Sequence, residues 1–181
     1  MNMHRRSSTK PACSKRSIAM SAVVCGLALA TAANASGART TAGAAASCKT
    51  SGLVVWIDTE GSATAGSTYY ILKFTNQSGH TCALAGYPGV SAVDLRGRQL
   101  GSAGSRNPSV AHVVSLPSGA TAGAVLRITD VANYPASTCH PVAAAGLRVY
   151  PPNETASKVV PFPFEACSHA GPVYLSVKAV A

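Results

Sequence analysis

Short stretches in which apolar and polar residues alternate extend through most of the chain. From residue 48 onward, stretches rich in Val, Ile, Leu, Thr and Tyr are separated every 8 to 12 residues by Gly, Pro, Asn or Ser. A period of two is typical of strands with one buried face, and no helical period is sustained between them. The pattern predicts an antiparallel sandwich or barrel. The strands are predicted at residues 53–58, 68–75, 89–95, 110–116, 121–129, 146–150, 157–161 and 172–179.

The last predicted strand alternates most plainly. Val173, Leu175 and Val177 share one face, which we expect to be buried. Tyr174 and Lys178 share the opposite face, which we expect to point outward. A shift of one residue would exchange the two faces, so burial tests this assignment directly.

Glycine and proline mark the predicted turns. Turns are predicted at residues 76–79 (NQSG), 96–98 (RGR) and 117–119 (PSG), because these residues accept a positive φ or preset a bend. The proline-containing runs at 151–152 and 161–164 are expected at sheet edges or in connections, since proline donates no ladder hydrogen bond.

The N-terminus has the composition of a secretory signal peptide. Basic residues precede an uncharged apolar run from Ile18 to Ala30, and Ala33-Asn34-Ala35 follows as a small-x-small cleavage pattern. The apolar run is about 13 residues long, against the roughly 20 of a spanning helix. We therefore predict that residues 1–35 are removed and that the exported chain has no stable membrane insertion. A retained anchor is the alternative.

Two segments are predicted after the signal peptide. Residues 36–47 (SGARTTAGAAAS) contain no aliphatic side chain larger than alanine, which predicts a flexible leader. Residues 48–181 are long enough to bury a core and are predicted to form a single domain.

Export also changes the charge of the protein. Ten basic and six acidic residues follow residue 35, so the formal charge falls from +9 to +4. The remaining basic residues are scattered, whereas a nucleic-acid surface needs a clustered basic stripe. We expect no nucleic-acid partner.

Cysteine number indicates disulfides. The cysteines that follow the signal peptide are Cys48, Cys82, Cys139 and Cys167. An even number in an exported chain is typical of disulfides, and four cysteines allow three pairings. We favour the pairing of sequence neighbours, because each bond then closes a loop within one half of the chain. A zinc site would need close pairs, whereas the separations are 34, 57 and 28 residues.

Catalytic motifs are missing from the sequence. It contains neither a G-x-S-x-G elbow nor an H-E-x-x-H motif. Among the six carboxylates only Asp58 and Glu60 lie close together, and we expect them to be a solvated pair at a strand end. We assign no catalytic residue and expect that the protein is not an enzyme.

The histidines are the strongest argument for chemistry. Those that follow the signal peptide are His80, His112, His140 and His169. Imidazole is a common metal ligand. If Cys139 pairs with Cys167, His140 and His169 should lie near each other. His112 is expected to be a surface-facing or hydrogen-bonded strand residue. We expect no metal ion or other cofactor.

The single tryptophan, Trp56, stands in an apolar run beside Val55 and Ile57. We expect it in the core. The alternative is a flat platform for sugars, which would also apply to Tyr87.

The stretch NQSGHTCALAGYPGV, residues 76–90, combines a histidine, a cysteine and three glycines. Glycine and proline specify backbone shape, and the stretch lacks the convergent ligands of a metal site. We interpret it as a turn held by a disulfide between Cys82 and Cys48. Tyr87 is expected to pack beneath the bend, and His80 is expected at a solvated tip.

The chain resembles the DUF4232 family of exported actinobacterial proteins over the whole predicted domain. The most specific element is the run N-x-S-G-x-x-C-x-L-x-G-Y-P, here residues 76–88, followed by LRVYPP and a final VYLSV strand. The resemblance implies a secreted or cell-surface domain with an immunoglobulin-like sandwich. It implies no biochemical activity, so no catalytic residue is carried over.

Two functions remain open at this point. The first is a non-catalytic binding domain that is secreted or at the cell surface, with a component of the cell envelope or a protein as its partner. The second is a metal-handling protein or hydrolase whose site is assembled from dispersed histidines and serines. The ligand, the biological role and the oligomeric state do not follow from the sequence.

Overall fold

The computed structural model describes residues 45–181. The predicted signal peptide, residues 1–35, and leader residues 36–44 lie outside this part of the chain. The strands of the described part, numbered in chain order, are β1 Leu53–Thr64, β2 Ser67–Asn76, β3 Cys82–Ala85, β4 Gly89–Val93, β5 Gln99–Leu100, β6 Ser105–Arg106, β7 Val113–Leu116, β8 Thr121–Thr129, β9 Pro141–Tyr150, β10 Lys158–Cys167 and β11 Leu175–Val177. Short helical turns at Thr50–Gly52, Val131–Asn133 and Ala136–Cys139 complete the described elements.

Two sheets face each other across the core. One has five strands in the order β1-β2-β8-β11-β6, and the other has four in the order β10-β9-β4-β5. Strands β3 and β7 form a small third sheet. All pairs are antiparallel except β11 with β6. The all-β, disulfide-bonded antiparallel sandwich that the sequence predicts is confirmed. Its immunoglobulin-like character stays a prediction.

Large and small side chains alternate across the middle of the five-stranded sheet. Leu72 and Phe74 of β2 are fully buried and stand opposite Ala124 and Ala122 of β8. The small alanine side chains leave room in the core for Leu72 and Phe74 on the neighbouring strand. Fully burying a side chain such as Leu or Phe contributes about 1.5 to 3 kcal/mol, so this pairing is a main source of stability.

The two disulfides tie irregular segments to the sandwich. Cys48 is bonded to Cys82 at the start of β3, and Cys139 is bonded to Cys167 at the end of β10. This is the pairing of sequence neighbours that the sequence favours. The last residues of the predicted leader contact the domain. Ala46 and Ser47 pair with Ala83 of β3, next to the first disulfide.

The turn after β2 is organised by one buried amide. The side chain of Asn76 donates to the backbone oxygens of His80 and Leu116, at 2.7 and 2.8 Å, and accepts from the Ser78 amide. Gly79 has φ of 79°, which favours glycine. His80 is exposed. The predicted bend and the solvated position of His80 are therefore confirmed.

Tyr87 has a different role from the predicted one. Its hydroxyl donates to the backbone oxygen of Ser109 at 2.7 Å and accepts from the Ser109 amide at 2.9 Å. It therefore fastens the segment after β6, and does not pack beneath the bend at residues 76–79. The stretch also contains β3, which the turn interpretation missed because only four residues of it are extended.

Several strand boundaries differ from the prediction. Strand β1 continues to Thr64, through a register shift between Asp58 and Ser62. The Asp58–Glu60 pair therefore lies at a bulge within the strand, not at its end. Strand β9 begins at Pro141, whereas the predicted strand begins only at residue 146. The run of alanines at the start of β9 gives no alternation from which a strand could be predicted. The sequence does not predict β5 and β6, because two residues are too few to show alternation. His112 precedes β7 and is exposed, but it is not a strand residue.

The prolines at 161–164 lie within β10, which is an edge strand. The register shifts between Pro161 and Phe164. Placement at an edge, as predicted, lets the strand continue through residues that donate no ladder hydrogen bond.

The last strand is shorter than predicted, and the prediction that Val173 lies in the core is wrong. Leu175 and Val177 are buried, but Val173 is 46% exposed and Tyr174 is buried. Residues 172–174 precede the strand, so period two does not apply to them. The Tyr174 hydroxyl donates to the Leu100 backbone oxygen, and burial raises the pKa of this phenol to about 12.

Substitutions in and beside β11 should separate core from surface. We expect Leu175→Asp to prevent folding, because an unpaired charge in the core costs several kcal/mol. Val173→Asp and Lys178→Asp should fold and melt within a few degrees of the unaltered protein. Thermal melts followed by circular dichroism test this. A cooperative melt of Leu175→Asp at the unaltered temperature would contradict the assigned register.

Reduction should weaken the domain, whereas chelation should not. Each disulfide restricts the unfolded chain, so we expect a loss of about 2 to 5 kcal/mol per bridge on reduction. A chelator should leave the melting curve unchanged. The measurement is a pair of melting curves on protein with counted thiols. Four free thiols in the secreted protein, or destabilisation by the chelator, would contradict this expectation.

Candidate functional site

The outward face of the five-stranded sheet carries the candidate site. Register places Trp56 of β1, Lys73 of β2 and Gly123 of β8 in one row across the strands. Because Leu72 and Phe74 point inward, Lys73 between them points to the opposite side. A flat ring, a cation and a residue without a side chain therefore stand side by side on the outer face.

Trp56 is exposed, which corrects its predicted place in the core. It is 42% exposed, whereas its neighbour Ile57 is buried. The neighbouring odd-numbered positions of β1 face the core, so Trp56 occupies the outward parity. Its indole N–H donates to the Thr75 hydroxyl at 3.1 Å. That hydroxyl is 2.8 Å from the Thr121 hydroxyl, so a polar row continues from the indole across the sheet.

Lys73 lies between Trp56 of β1 and Gly123 of β8. Its Nζ lies 6.0 Å from the centre of the Trp56 ring, which is the outer limit of a cation–π contact. It also lies 3.9 Å from the Asp58 carboxylate. Both groups are about a third exposed, so this ion pair is loosely held and contributes little to stability. Lys73 is therefore available to another anion.

A groove opens beside Lys73, with a volume of about 580 Å³. Its floor is Gly123, flanked by Ile71 and Val125. A Cβ atom at Gly123 would lie 2.9 Å from the Ile71 side chain, so glycine leaves a depression that another residue would fill. Lys73 and Lys178 both line the groove, with Lys73 beside β8 on the β2 side and Lys178 beside it on the β11 side.

Two irregular segments form the far wall of the groove. The first contains Ser109 and Val110, and Val110 is 76% exposed. The second is the segment after β11, where Lys178 donates its amide to Val125 and Ala181 exchanges two backbone hydrogen bonds with Gly123. Backbone hydrogen bonds thus hold this wall against β8.

Ser109 fixes the two wall segments to each other and to Tyr87. Its hydroxyl accepts from the Ala179 amide at 2.9 Å, while its backbone is bonded to the Tyr87 phenol. The hydrogen bonds from the hydroxyl and amide of Ser109, with the nearby Arg106, lower the pKa of the Tyr87 phenol. The tyrosine of the G-Y-P element at residues 86–88 therefore holds the groove wall through Ser109.

Positive charges outnumber negative charges on this outer face by three to two. Lys73, Arg127 and Lys178 lie on it, against Asp58 on β1. The Arg127 guanidinium is bonded to the Ser67 hydroxyl. The bulge beyond Asp58 adds the exposed Glu60 to the rim of the sheet. The groove itself lies between two lysines.

The structure brings two of the four histidines together. The His140 and His169 rings lie 3.9 Å apart at an exposed corner beside the second disulfide, as the sequence predicts for this cysteine pairing. His80 and His112 lie elsewhere on the surface. Among residues 45–181, no three His, Cys, Asp or Glu side chains are grouped closely enough to hold a metal ion.

Several carboxylates have structural partners. Asp94 closes the 96–98 turn, and hydrogen bonds from Arg98 and Arg96 lower its pKa. Glu154 accepts from the Thr50 amide and from Lys49, and these contacts lower the pKa of its carboxyl group.

Asp130 accepts from the Ala132 amide at the start of a helical turn. Within residues 45–181, no buried side-chain nitrogen or oxygen lacks a hydrogen-bond partner.

The groove does not follow from the sequence. The outward position of Lys73 follows from alternation in β2, but the register of β1 against β2 is needed to place Trp56 beside it. Gly123 was assigned only as a strand residue. A glycine inside an otherwise regular strand was the available signal, since it often marks a close approach or a bulge.

Comparison with known proteins supplies a family but no activity. Among residues 45–181, no helix is long and apolar enough to cross a membrane. No curated protein and no solved structure matches the chain. The model of a family described as a domain of unknown function (DUF4232) matches residues 48–181, which include every strand of the described sheets. The chain belongs to the DUF4232 family.

Proposed function

We propose that this protein is a secreted, non-catalytic binding domain whose ligand lies in the groove on the outer face of the five-stranded sheet. One observation carries the proposal: the single tryptophan of the chain is exposed, next to Lys73 of a concave surface that two lysines line. Exposed apolar rings next to a depression are typical of recognition surfaces.

The scaffold suits recognition more than reaction. The floor of the groove is sheet backbone, and its walls are held by hydrogen bonds to that sheet. A preformed surface loses little conformational entropy when a ligand binds. The side chains that line it are two lysines, hydroxyls and aliphatics, which can bind and orient a ligand.

The metal-handling or hydrolase hypothesis has one supporting observation, the contact between His140 and His169. Two exposed imidazoles provide half of a tetrahedral ligand set. Their corner lies at the second disulfide, whereas the groove lies across β2 and β8. The two hypotheses therefore predict effects of different substitutions.

Secretion is supported by the signal-like N-terminus and by two disulfides, which persist in oxidising compartments. We expect the intact mass of the protein in the culture medium to correspond to a start at Ser36. The measurement is mass spectrometry of medium and membrane fractions. Recovery of the full-length chain in the membrane fraction would contradict cleavage and support an anchor.

The single tryptophan makes the binding proposal directly measurable. We expect a ligand in the groove to change the fluorescence of Trp56, because the ring is adjacent to Lys73, which lines the groove. The secreted protein should be titrated with soluble cell-envelope polysaccharides, neutral glycans, acidic glycans and peptides. A parallel titration with Cu²⁺ and Zn²⁺ tests the alternative.

Two variants serve as controls for this titration. His140→Ala should retain any ligand-induced change, whereas Lys73→Gln should reduce it. No fluorescence or calorimetric signal from any member of the panel would contradict the binding proposal. A metal affinity in the micromolar range or tighter, lost in His140→Ala, would favour the alternative.

A further inference from the structure

We infer that the ligand of this groove is an acidic polysaccharide, with a sugar ring against Trp56 and carboxylate groups near Lys73 and Lys178. This inference rests on the proposed function and names the class of ligand for the same site. It depends on three observations: the direction of the row across the strands, the chemistry of its side chains, and the sign of its charges.

The row favours an elongated ligand that crosses the strands. Trp56, Lys73 and Gly123 lie on three adjacent strands, and the segment containing Ala181 lies beside the third. With strands about 4.8 Å apart, the row extends over about 14 Å. This length suits several linked units of a chain molecule. A compact ligand would leave one end of the row uncovered.

The side chains along the row suit sugar rings. A sugar has an apolar face of C–H groups that can lie on the indole, and hydroxyls around its rim that need donors and acceptors. The Thr75 and Thr121 hydroxyls stand next to the indole and are exposed. An entirely apolar ligand would remove these hydroxyls and both lysines from water without offering them a new polar contact.

The charges favour acidic over neutral sugars. Two lysines line the groove, one on each side of β8, and Lys73 is 3.9 Å from the Asp58 carboxylate in a loose ion pair. A carboxylate on the ligand can approach Lys73 more closely than Asp58 does. Lys178 is exposed and has no ion-pair partner among the described residues, so its charge is available to a second acidic unit.

The charge pattern disfavours two other occupants. A second copy of the chain would bring the same lysines together in a twofold contact, and like charges facing each other are destabilising. Nucleic acid requires a denser basic stripe than two separated lysines. Both occupants nevertheless give distinct results in the experiment below.

The test is calorimetric titration of the secreted protein with polygalacturonate, with dextran as the neutral glycan and with linear polyphosphate as an anion without sugar rings. We expect binding of polygalacturonate that weakens as salt rises, because exposed charges are screened. Dextran should bind at least about tenfold more weakly, since it offers the lysines no carboxylate. Polyphosphate should also bind more weakly, since it cannot stack on the indole.

Single substitutions assign the contacts. Lys73→Gln and Lys178→Gln should each weaken polygalacturonate binding about fivefold, the upper range for an exposed ion pair. Trp56→Ala should weaken it about tenfold, with partial recovery in Trp56→Phe, because a smaller ring keeps part of the stacking surface. Lys158→Gln, on β10 of the other sheet, is the matched control and should bind like the unaltered protein. Melting curves verify that each variant is folded.

Each other outcome is informative. Equal binding of dextran and polygalacturonate, with dependence on Trp56, would overturn the acidic class and leave the binding function intact. Equal binding of polyphosphate, with no effect of Trp56→Ala, would show a general polyanion surface and overturn the inference. Binding of duplex DNA, titrated in the same way, with a steep salt dependence would also overturn the inference. A concentration-dependent dimer that is lost in Trp56→Ala would show that a second copy covers the groove. If none of these three polymers bound but another ligand of the fluorescence titration did, the inference would be overturned and the proposed binding function would stand.

Discussion

Burial of Leu72 and Phe74 on β2 decides which side of the five-stranded sheet faces the core. These side chains are fully buried opposite alanines of β8, so neither strand can turn over without exposing them. A register shift of one residue would move every side chain of β2 to the other face. The outward position of Lys73, and with it the candidate groove, follows from this packing.

The irregular parts of the domain are held by a small number of specific contacts. The Asn76 amide satisfies backbone groups of its own turn and of β7, and the first disulfide joins the start of the domain to β3. At the opposite side, Ser109 connects Tyr87 with the segment after β11. The contacts of Ser109 hold the two wall segments of the groove, so this part of the surface is fixed by interactions that also order the irregular chain.

The groove and the histidine corner represent two different kinds of functional candidate. The groove combines a concave shape, an exposed ring and two cations on a rigid sheet. The corner at His140 has two imidazoles, with no third ligand grouped near them in the described part of the chain. His140 has φ of 49°, which is unusual for a residue other than glycine. It is held there at the end of a short helix by the hydrogen bond from its amide to Ala136, so the backbone geometry has a local structural cause.

Local patterns in the chain predict the all-β class, the turns at 76–79, 96–98 and 117–119, the presence of disulfides, and the buried positions Leu175 and Val177. These depend on local properties: period-two alternation, the φ preferences of glycine and proline, and the even number of cysteines. The sequence also indicates the family through the run at residues 76–88. Tertiary structure alone decided that Trp56 is exposed, that Val173 is outside the core, and that Tyr87 binds Ser109. Each of these depends on which strands are neighbours and on where a strand begins. Contacts between residues that are distant in sequence determine the pairing of strands and their start.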